Sequence, residues 1–269
     1  MQDVPLAIYV YAFTSSHLSQ LPLVKIDEEN QRTPLLGVDD EHPLSFYQYE
    51  GLNAIISSVS LQDFIGETGE LNVQNIAWLT PRACRHALVI DQLTLQSPVY
   101  PLSFGTLFSN LDALQQEMAQ RSVEILHFLK LIDGCDEWSL EATLDQKKAV
   151  DYLFEQGLKD GRFLLPEGAG RRHLEEQKIR RFLTSDMSNW LESCLAKLDN
   201  DLLPLIRESR SRRLLDNKVL HEAYLVPVEH VQVFKDIVSL IESHYQVYGL
   251  NFRLTGPWAA YSFCQSKTQ

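Results

Sequence analysis

The sequence predicts an α+β protein of two domains with long amphipathic helices, and three observations lead there. Apolar residues recur at helical spacing through 110–131, and a second long helical segment covers 171–198. Between 219 and 255 the apolar period changes from about two to about 3.6 and back, the mark of strand, helix, strand. The chain has 269 residues, enough for two domains of ordinary size. The division is expected near residue 140, giving an N-terminal α+β domain at 1–140 and a C-terminal α+β domain at 141–269.

Taken in order, VPLAIYVYAF at 4–13 is short, apolar and rich in β-branched and aromatic residues, which suits a strand buried on both faces. Residues 15–41 mix Pro22, Pro34 and Gly37 with Asp27, Glu28, Glu29, Asp39, Asp40 and Glu41, and read as a surface excursion with one or two edge strands. The runs 46–50 and 52–61 flank Gly51 as a hairpin would. Asn72 or Asn75 can cap a helix reaching about Leu95, with Ile76, Leu79, Ala83, Ala87 and Ile90 on one face. Pro81 then needs a place, and the first helical position after a Thr80 cap supplies one.

VYPLSF at 99–104 is a strand ended by Gly105-Thr106, and the helix at 110–131 follows, with Leu111, Leu114, Met118, Val123, Leu126 and Leu129 as its apolar positions. Asp133-Gly134 end it, and WSLEATL at 138–144 alternates like a half-solvated strand closing the first domain. A helix at 145–159, the punctuation GRFLLPEGAG at 161–170 and the helix at 171–198 come next, with 199–215 continuing in helical style around Pro204. The last stretch is strand 219–228, helix 229–247 and strand 250–255. LTGPWAAYSF at 254–263 closes it as strand, turn, strand around Gly256-Pro257, because proline fixes its own φ and glycine accepts what its neighbour demands. So much apolar area is either a closing strand or a docking surface. Following a strand-helix unit, Trp258 and Phe263 are expected to lock it onto the second domain's core.

The formal net charge is −12. Residues 1–134 hold 6 Lys+Arg against 16 Asp+Glu, a net of −10, and residues 135–269 hold 18 against 20, a net of −2. Such acidity repels phosphate backbones and anionic bilayers, so neither nucleic acid nor membrane is an expected partner. Cys84, Cys135, Cys194 and Cys264 stand singly without paired spacing, and no basic leader or long apolar span is present, which points to the cytoplasm.

The strongest catalytic and nucleotide motifs are absent: no GxxxxGK[ST], GxSxG, HExxH or DxDxDG occurs. No catalytic residue, cofactor or metal site is assigned. The loop Gly168-Ala169-Gly170 before Arg171, Arg172 and His173 could hold an anion through backbone amides and two cations. It supplies the alternative reading, a small-ligand-binding protein or enzyme using residues 168–173. Its blander reading is a helix entry with solvated arginines. His173 and Glu176, three apart on a helix, lack a third ligand and read as a solvated face. Cys84 and His86 point apart on their helix, with Cys84 expected in packing and His86 partly exposed. Arg207, Arg210, Arg212 and Arg213 form a basic cluster, read as a solvated helix end in preference to a receptor for an acidic partner.

Three stretches together resemble the GvpL/GvpF family of gas vesicle proteins: PVYPLSFGTLF at 98–108, AYLVP at 223–227 and the closing LTGPWAAYSF. Weaker similarity covers IYVYAF, SSVSLQDF at 57–64 and WLTPRACRHALVI at 78–90. The signature residues are Phe104, Gly105, Thr106, Gly256, Pro257, Trp258, Tyr261 and Phe263. The chain departs from the family's habit at Ala259-Ala260 in place of Pro-Pro, at Ser103 in place of Arg, and at His173 in place of an aromatic. The resemblance implies a non-enzymatic accessory protein of gas vesicle assembly, cytoplasmic and vesicle-associated. Its implied partners are the hydrophobic main shell protein and other accessory proteins. It also implies that the C-terminal domain is a modified ferredoxin-like fold with a helical insertion. A soluble acidic chain of this kind could hold the shell subunit on an apolar patch or a sheet edge and keep it from aggregating.

Overall fold

The computed structural model describes residues 5–18, 24–26, 32–215 and 217–264. It divides into two compact units, Met1–Gly134 with Trp258–Gln269, and Cys135–Pro257.

The first unit is built on β1 (Leu6–Ser15), followed by the paired β2 (Val24–Ile26) and β3 (Arg32–Pro34), then β4 (Ser45–Tyr49) and β5 (Leu52–Ser60). Short α1 (Leu61–Phe64) and α2 (Gly66–Gln74) lead into α3 (Ile76–Thr94), β6 (Val99–Pro101), β7 (Leu107–Phe108) and α4 (Leu111–Ile132). The main sheet runs β4-β5-β1-β6, with β7 also on β1 and the described pairings antiparallel. The hairpin expected at Gly51 is a two-residue turn, Tyr49 facing Leu52 with Glu50 and Gly51 both at positive φ (43° and 83°). That is the turn whose twist matches the strands it joins. On β6, Val99 packs in the layer with Val89, Ile90 and Leu93 of α3, while Tyr100 meets Phe128 of α4. Successive strand residues face opposite ways, so α3 and α4 cover opposite faces of the sheet.

Helix α3 starts at Ile76 behind Asn75, one of the two caps expected, whose side chain accepts from the Ala77 amide. Two other expectations are corrected, and the first is Pro81, which sits inside the helix and not at its first position. A capped first turn with apolar packing beyond it tolerates the one donor that proline removes. The buried stripe is His86, Val89, Ile90 and Leu93, and Ile76 and Ala87 are exposed. Starting the helix earlier changes nothing in the period; the core-facing register simply lies elsewhere. Helix α4 lies where the sequence suggests; Asn110 caps it, and it buries Leu114, Met118, Ile125, Phe128, Leu129 and Ile132 but leaves Val123 81% exposed.

The second unit runs β8 (Cys135–Leu144), α5 (Gln146–Lys159), α6 (Ala169–Leu202), β9 (Glu208–Ser211), β10 (Lys218–Pro227), α7 (Val231–Tyr245) and β11 (Leu250–Trp258). Its sheet order is β11-β8-β10-β9. Strand, helix, two strands, helix, strand is the order of a ferredoxin-like unit, here with its first crossover lengthened into α5 and α6. The strand at 138–144, expected to close the first domain, is instead β8, central in this sheet. Its Trp138, Leu140 and Ala142 join Leu198, Tyr224, Phe234 and Phe252 in one core.

Helical continuation through 199–215 is also overturned. After α6 a single 3-10 turn at Leu203–Leu205 contains Pro204, and the chain then pairs with β10 as β9. Arg210 and Arg212 are therefore strand and strand-end residues paired with Glu208 and Glu137.

The closing motif is not strand, turn, strand. Gly256 and Pro257 lie within β11, at φ 144° for the glycine, and beyond Trp258 the chain forms a 3-10 turn, Tyr261–Phe263, in the first unit. Leu250 and Phe252 stay in the second core, while Ala259 packs with Tyr9, Tyr11 and Leu93 of the first. Phe263 is buried, but Trp258 is 52% exposed, so the expectation that both lock onto the second domain fails for each in a different way.

Candidate functional site

The resemblance-bearing stretches of the first unit meet beside the sheet, around His86. The helical register of α3 aims this side chain at β1, where it is 4% exposed and packs against both Tyr9 and Tyr11. Its Nε2 is 3.1 Å from the Leu102 carbonyl, which can only accept, so Nε2 carries the hydrogen. Burial pushes the imidazole pKa down to about 4, partly opposed by that carbonyl, so the ring is neutral near pH 7. Nδ1 must then accept, and Tyr9 Oη–H donates to it over 2.9 Å. The same Tyr9 oxygen accepts from the Gly105 amide at 3.0 Å.

Gly105 belongs to the FGT turn. Thr106 N–H donates to the Ser103 carbonyl at 3.2 Å and Thr106 Oγ1–H to the same oxygen at 2.7 Å. Gly105 sits at the third turn position with φ 84°, where a positive value is required and glycine supplies it without strain. The Thr106 carbonyl in turn accepts from Val10 N–H, tying the turn to β1. Phe104 seals the cluster edge-on, its ring centroid 6.0 Å from Tyr9 and 5.9 Å from His86. From the closing motif, Tyr261 brings its oxygen to 3.5 Å from His86 Nε2. Burial raises the Tyr9 and Tyr261 hydroxyl pKa values well above the phenolic range, so both remain protonated; Tyr9 donates to Nδ1, whereas the Tyr261 oxygen faces the Nε2–H as an acceptor.

A second tyrosine repeats the device. Tyr11 Oη accepts from Val38 N–H at 2.8 Å and shares a 2.8 Å hydrogen bond with Ser57 Oγ, and burial moves its pKa up to about 12. Gly37 passes so close that a Cβ there would sit 2.5 Å from Ser57 Oγ. Ser57 lies in the SSVSLQDF stretch, so this bond draws another resembling segment into the same layer.

Chemically this is a clamp. Both nitrogens of His86 are engaged and its ring is flanked by Phe104 and the two tyrosines. The result is a fixed FGT turn, a fixed α3 and a docked tail. Sequence reading assigned the helix pair the wrong way round: Cys84 is exposed and His86 buried. The signal that could have found it is the spacing His86, Val89, Ile90, Leu93, which is as helical as the stripe chosen.

Of the signature residues, Phe104, Gly105, Thr106, Tyr261 and Phe263 gather in the first unit, and Gly256 and Pro257 belong to the second. Trp258 follows them on the first unit's side of the division. A Cβ on Gly256 would lie 2.9 Å from the Glu137 carbonyl oxygen and 3.0 Å from the Trp138 ring, so β11 approaches β8 there as only glycine allows.

The other residues singled out from sequence are dispersed. Residues 168–174 are all exposed at the start of α6, so the anion-loop alternative finds no enclosing wall. Glu176 accepts from Arg180 at 3.1 Å and is not turned to His173. Among the described residues, Asp39, Glu41 and His42 bring metal-type ligand atoms within 4.8 Å of one another. Asp39 already accepts from the Glu41 and His42 amides and from the His42 ring, an ordinary acidic turn. A cavity of about 710 Å³ lies between residues 100–106 and α4, but its cation, Arg121, is paired with Glu117 and Glu124. No helix among the described residues is long and apolar enough to cross a membrane.

The chain is 23% identical over 236 residues to "Gas vesicle protein L" of a Streptomyces species, covering 84% of this chain and 85% of that protein. Its fold is similar to the crystal structure of GvpF from Anabaena sp. PCC7120, with a TM-score of 0.66 at 17% identity over 97% of this chain and 96% of that one. GvpF from Microcystis aeruginosa gives a TM-score of 0.64, also at 17% identity, over 96% and 99%. Residues 7–265 match the family described as "Gas vesicle synthesis protein GvpL/GvpF", and the chain belongs to that family.

Proposed function

We propose that this chain is an accessory protein of gas vesicle assembly that binds the hydrophobic shell protein and supports nucleation or growth of the vesicle. The observation that carries the reading is the family match over residues 7–265, which spans both units. Two physical features support it. The first 134 residues carry a net charge of −10, from 6 Lys+Arg and 16 Asp+Glu, which keeps a complex with an apolar subunit soluble. The same unit exposes Ile65 just before α2, Leu71 and Val73 on it, and Ile76 at the start of α3, apolar side chains close in sequence that a partner would cover.

In this reading the chain works in the cytoplasm at the vesicle, by binding and not by catalysis, and other accessory proteins join it there. The signature residues of the FGT turn, with Tyr261 and Phe263 of the closing motif, act on fold, holding the first unit in the form its partner meets, while Gly256 and Pro257 act on the second. Co-expression with the shell protein, followed by purification of this chain, tests the proposal. The expected outcome is shell protein retained at a defined ratio. Shell protein that is soluble alone and never retained defeats it.

A further inference from the structure

Sheet edges attract other strands, and folded proteins blunt them with charge, proline, glycine bends or brevity. Among the described residues, all but one of the edge strands of the two main sheets carry such devices, β7 by being only two residues long. Strand β6 is three residues long and ends in Pro101, β9 carries Glu208 and Arg210, and β11 carries Arg253, Gly256 and Pro257. Strand β4 is the exception. Its sequence SFYQY has no charge, proline or glycine, and its outer side pairs with no described strand.

The register says which backbone groups are free. Ser16 N–H donates to the Gly51 carbonyl, so the odd residues of β5 turn their amides and carbonyls toward β1. The even residues of β5 then bond β4, through Ser45, Tyr47 and Tyr49, leaving the amides and carbonyls of Phe46 and Gln48 pointing outward. Phe46 is anchored in the core and Tyr47 Oη–H donates to Gln115 Oε1 at 2.7 Å, so the edge is held rigid from both faces.

Charge selects the occupant. Exposed Glu41 precedes β4 and exposed Glu50 follows it. Asp40 is paired with Arg85 and Asp39 with His42, but antiparallel pairing of two copies would still bring Glu50 of one toward Glu41 of the other, a like-charge contact at both ends. The geometry points to the outer edge of β4 as a strand-addition site for a different protein, whose extended, uncharged segment is flanked by Lys or Arg. This rests on the proposed function, in that the shell protein is the strand donor tested.

The experiment uses the full chain co-expressed with the shell protein, and compares wild type with Gln48→Pro, which removes an outward amide and leaves the β4–β5 ladder intact. At least a tenfold loss of retained shell protein is expected, with β5 amides as protected from exchange as in wild type. Gln48→Lys, which keeps the amide but charges the edge, should lower retention too. In the wild-type complex, the amides of Phe46 and Gln48 should exchange more slowly than in the free chain, with Tyr47 and Tyr49 unchanged. Undiminished retention by both variants, or unaltered exchange at Phe46 and Gln48, overturns the edge assignment and leaves the proposed function standing. A wild-type chain that retains no shell protein overturns both. A dimer of the free chain that Gln48→Pro dissolves gives the edge to self-pairing and also overturns it.

Discussion

Tyr9 Oη lies 2.9 Å from His86 Nδ1 across 77 residues of chain, and the neutral tautomer they share orders every hydrogen in the cluster. From the Gly105 amide the sequence of donors runs through Tyr9 to His86 and out to the Leu102 carbonyl. Tyr9→Phe removes the middle member. Gly105 is exposed and its amide turns to water, but His86 Nδ1 is buried and is left without a donor. The expected cost is about 1–3 kcal/mol, read from denaturant midpoints. A change within error would mean that the bond contributes nothing.

How much of this was legible in the sequence varies with the kind of signal. Elements with strong periodicity and good caps, such as α4 behind Asn110 and α5 behind Asp145, are where the residues put them. The His86 cluster was not legible, because its directly touching members stand up to 175 residues apart and meet only through folding. Composition misled at Cys84 and His86, since a histidine on a helix reads as polar until two hydrogen-bond partners are seen. The tail misled for another reason. Gly256-Pro257 does signal an abrupt backbone, but not which hydrophobic layer receives Ala259 and Phe263 afterwards.

Acid sensitivity follows from the same histidine. Its folded pKa of about 4 lies below the ordinary 6.5, so between these values the unfolded chain binds more protons than the folded one. Stability therefore falls as pH drops from 6.5 toward 4, by about 1.4 kcal/mol per pH unit from this one group. Asp39, held below its ordinary carboxyl value of 3.8 by His42 and two amides that outweigh its burial, acts in the same direction at lower pH. Subtracting the pH profile of His86→Gln from that of wild type isolates the histidine's share. A flat difference between pH 6.5 and 4.5 would refute its burial.

At Gly256, the φ of 144° and the close approach to β8 act together. Gly256→Ala must move either the Glu137 carbonyl or the Trp138 ring, and it adopts a backbone conformation that costs on the order of 1–3 kcal/mol by itself. We expect a loss of at least about 2 kcal/mol, with exchange protection lowered first in β8 and β11. A variant as stable as wild type would mean that β11 relaxes freely there.

The two aromatic residues that close the chain's signature should behave differently. Phe263 is 3% exposed and Trp258 is 52% exposed. Phe263→Ala is therefore expected to cost about 3–5 kcal/mol, the usual range for emptying a core aromatic site, and to loosen the first unit. Trp258→Ala removes a side chain whose burial is roughly half complete, so about 1–2.5 kcal/mol is expected. Equilibrium unfolding of the two variants side by side makes the comparison. If Trp258→Ala unfolds close to wild type yet loses the shell protein in co-purification, its exposed half is a contact surface. If it costs as much as Phe263→Ala, the indole is part of the packing and its exposure has no such role.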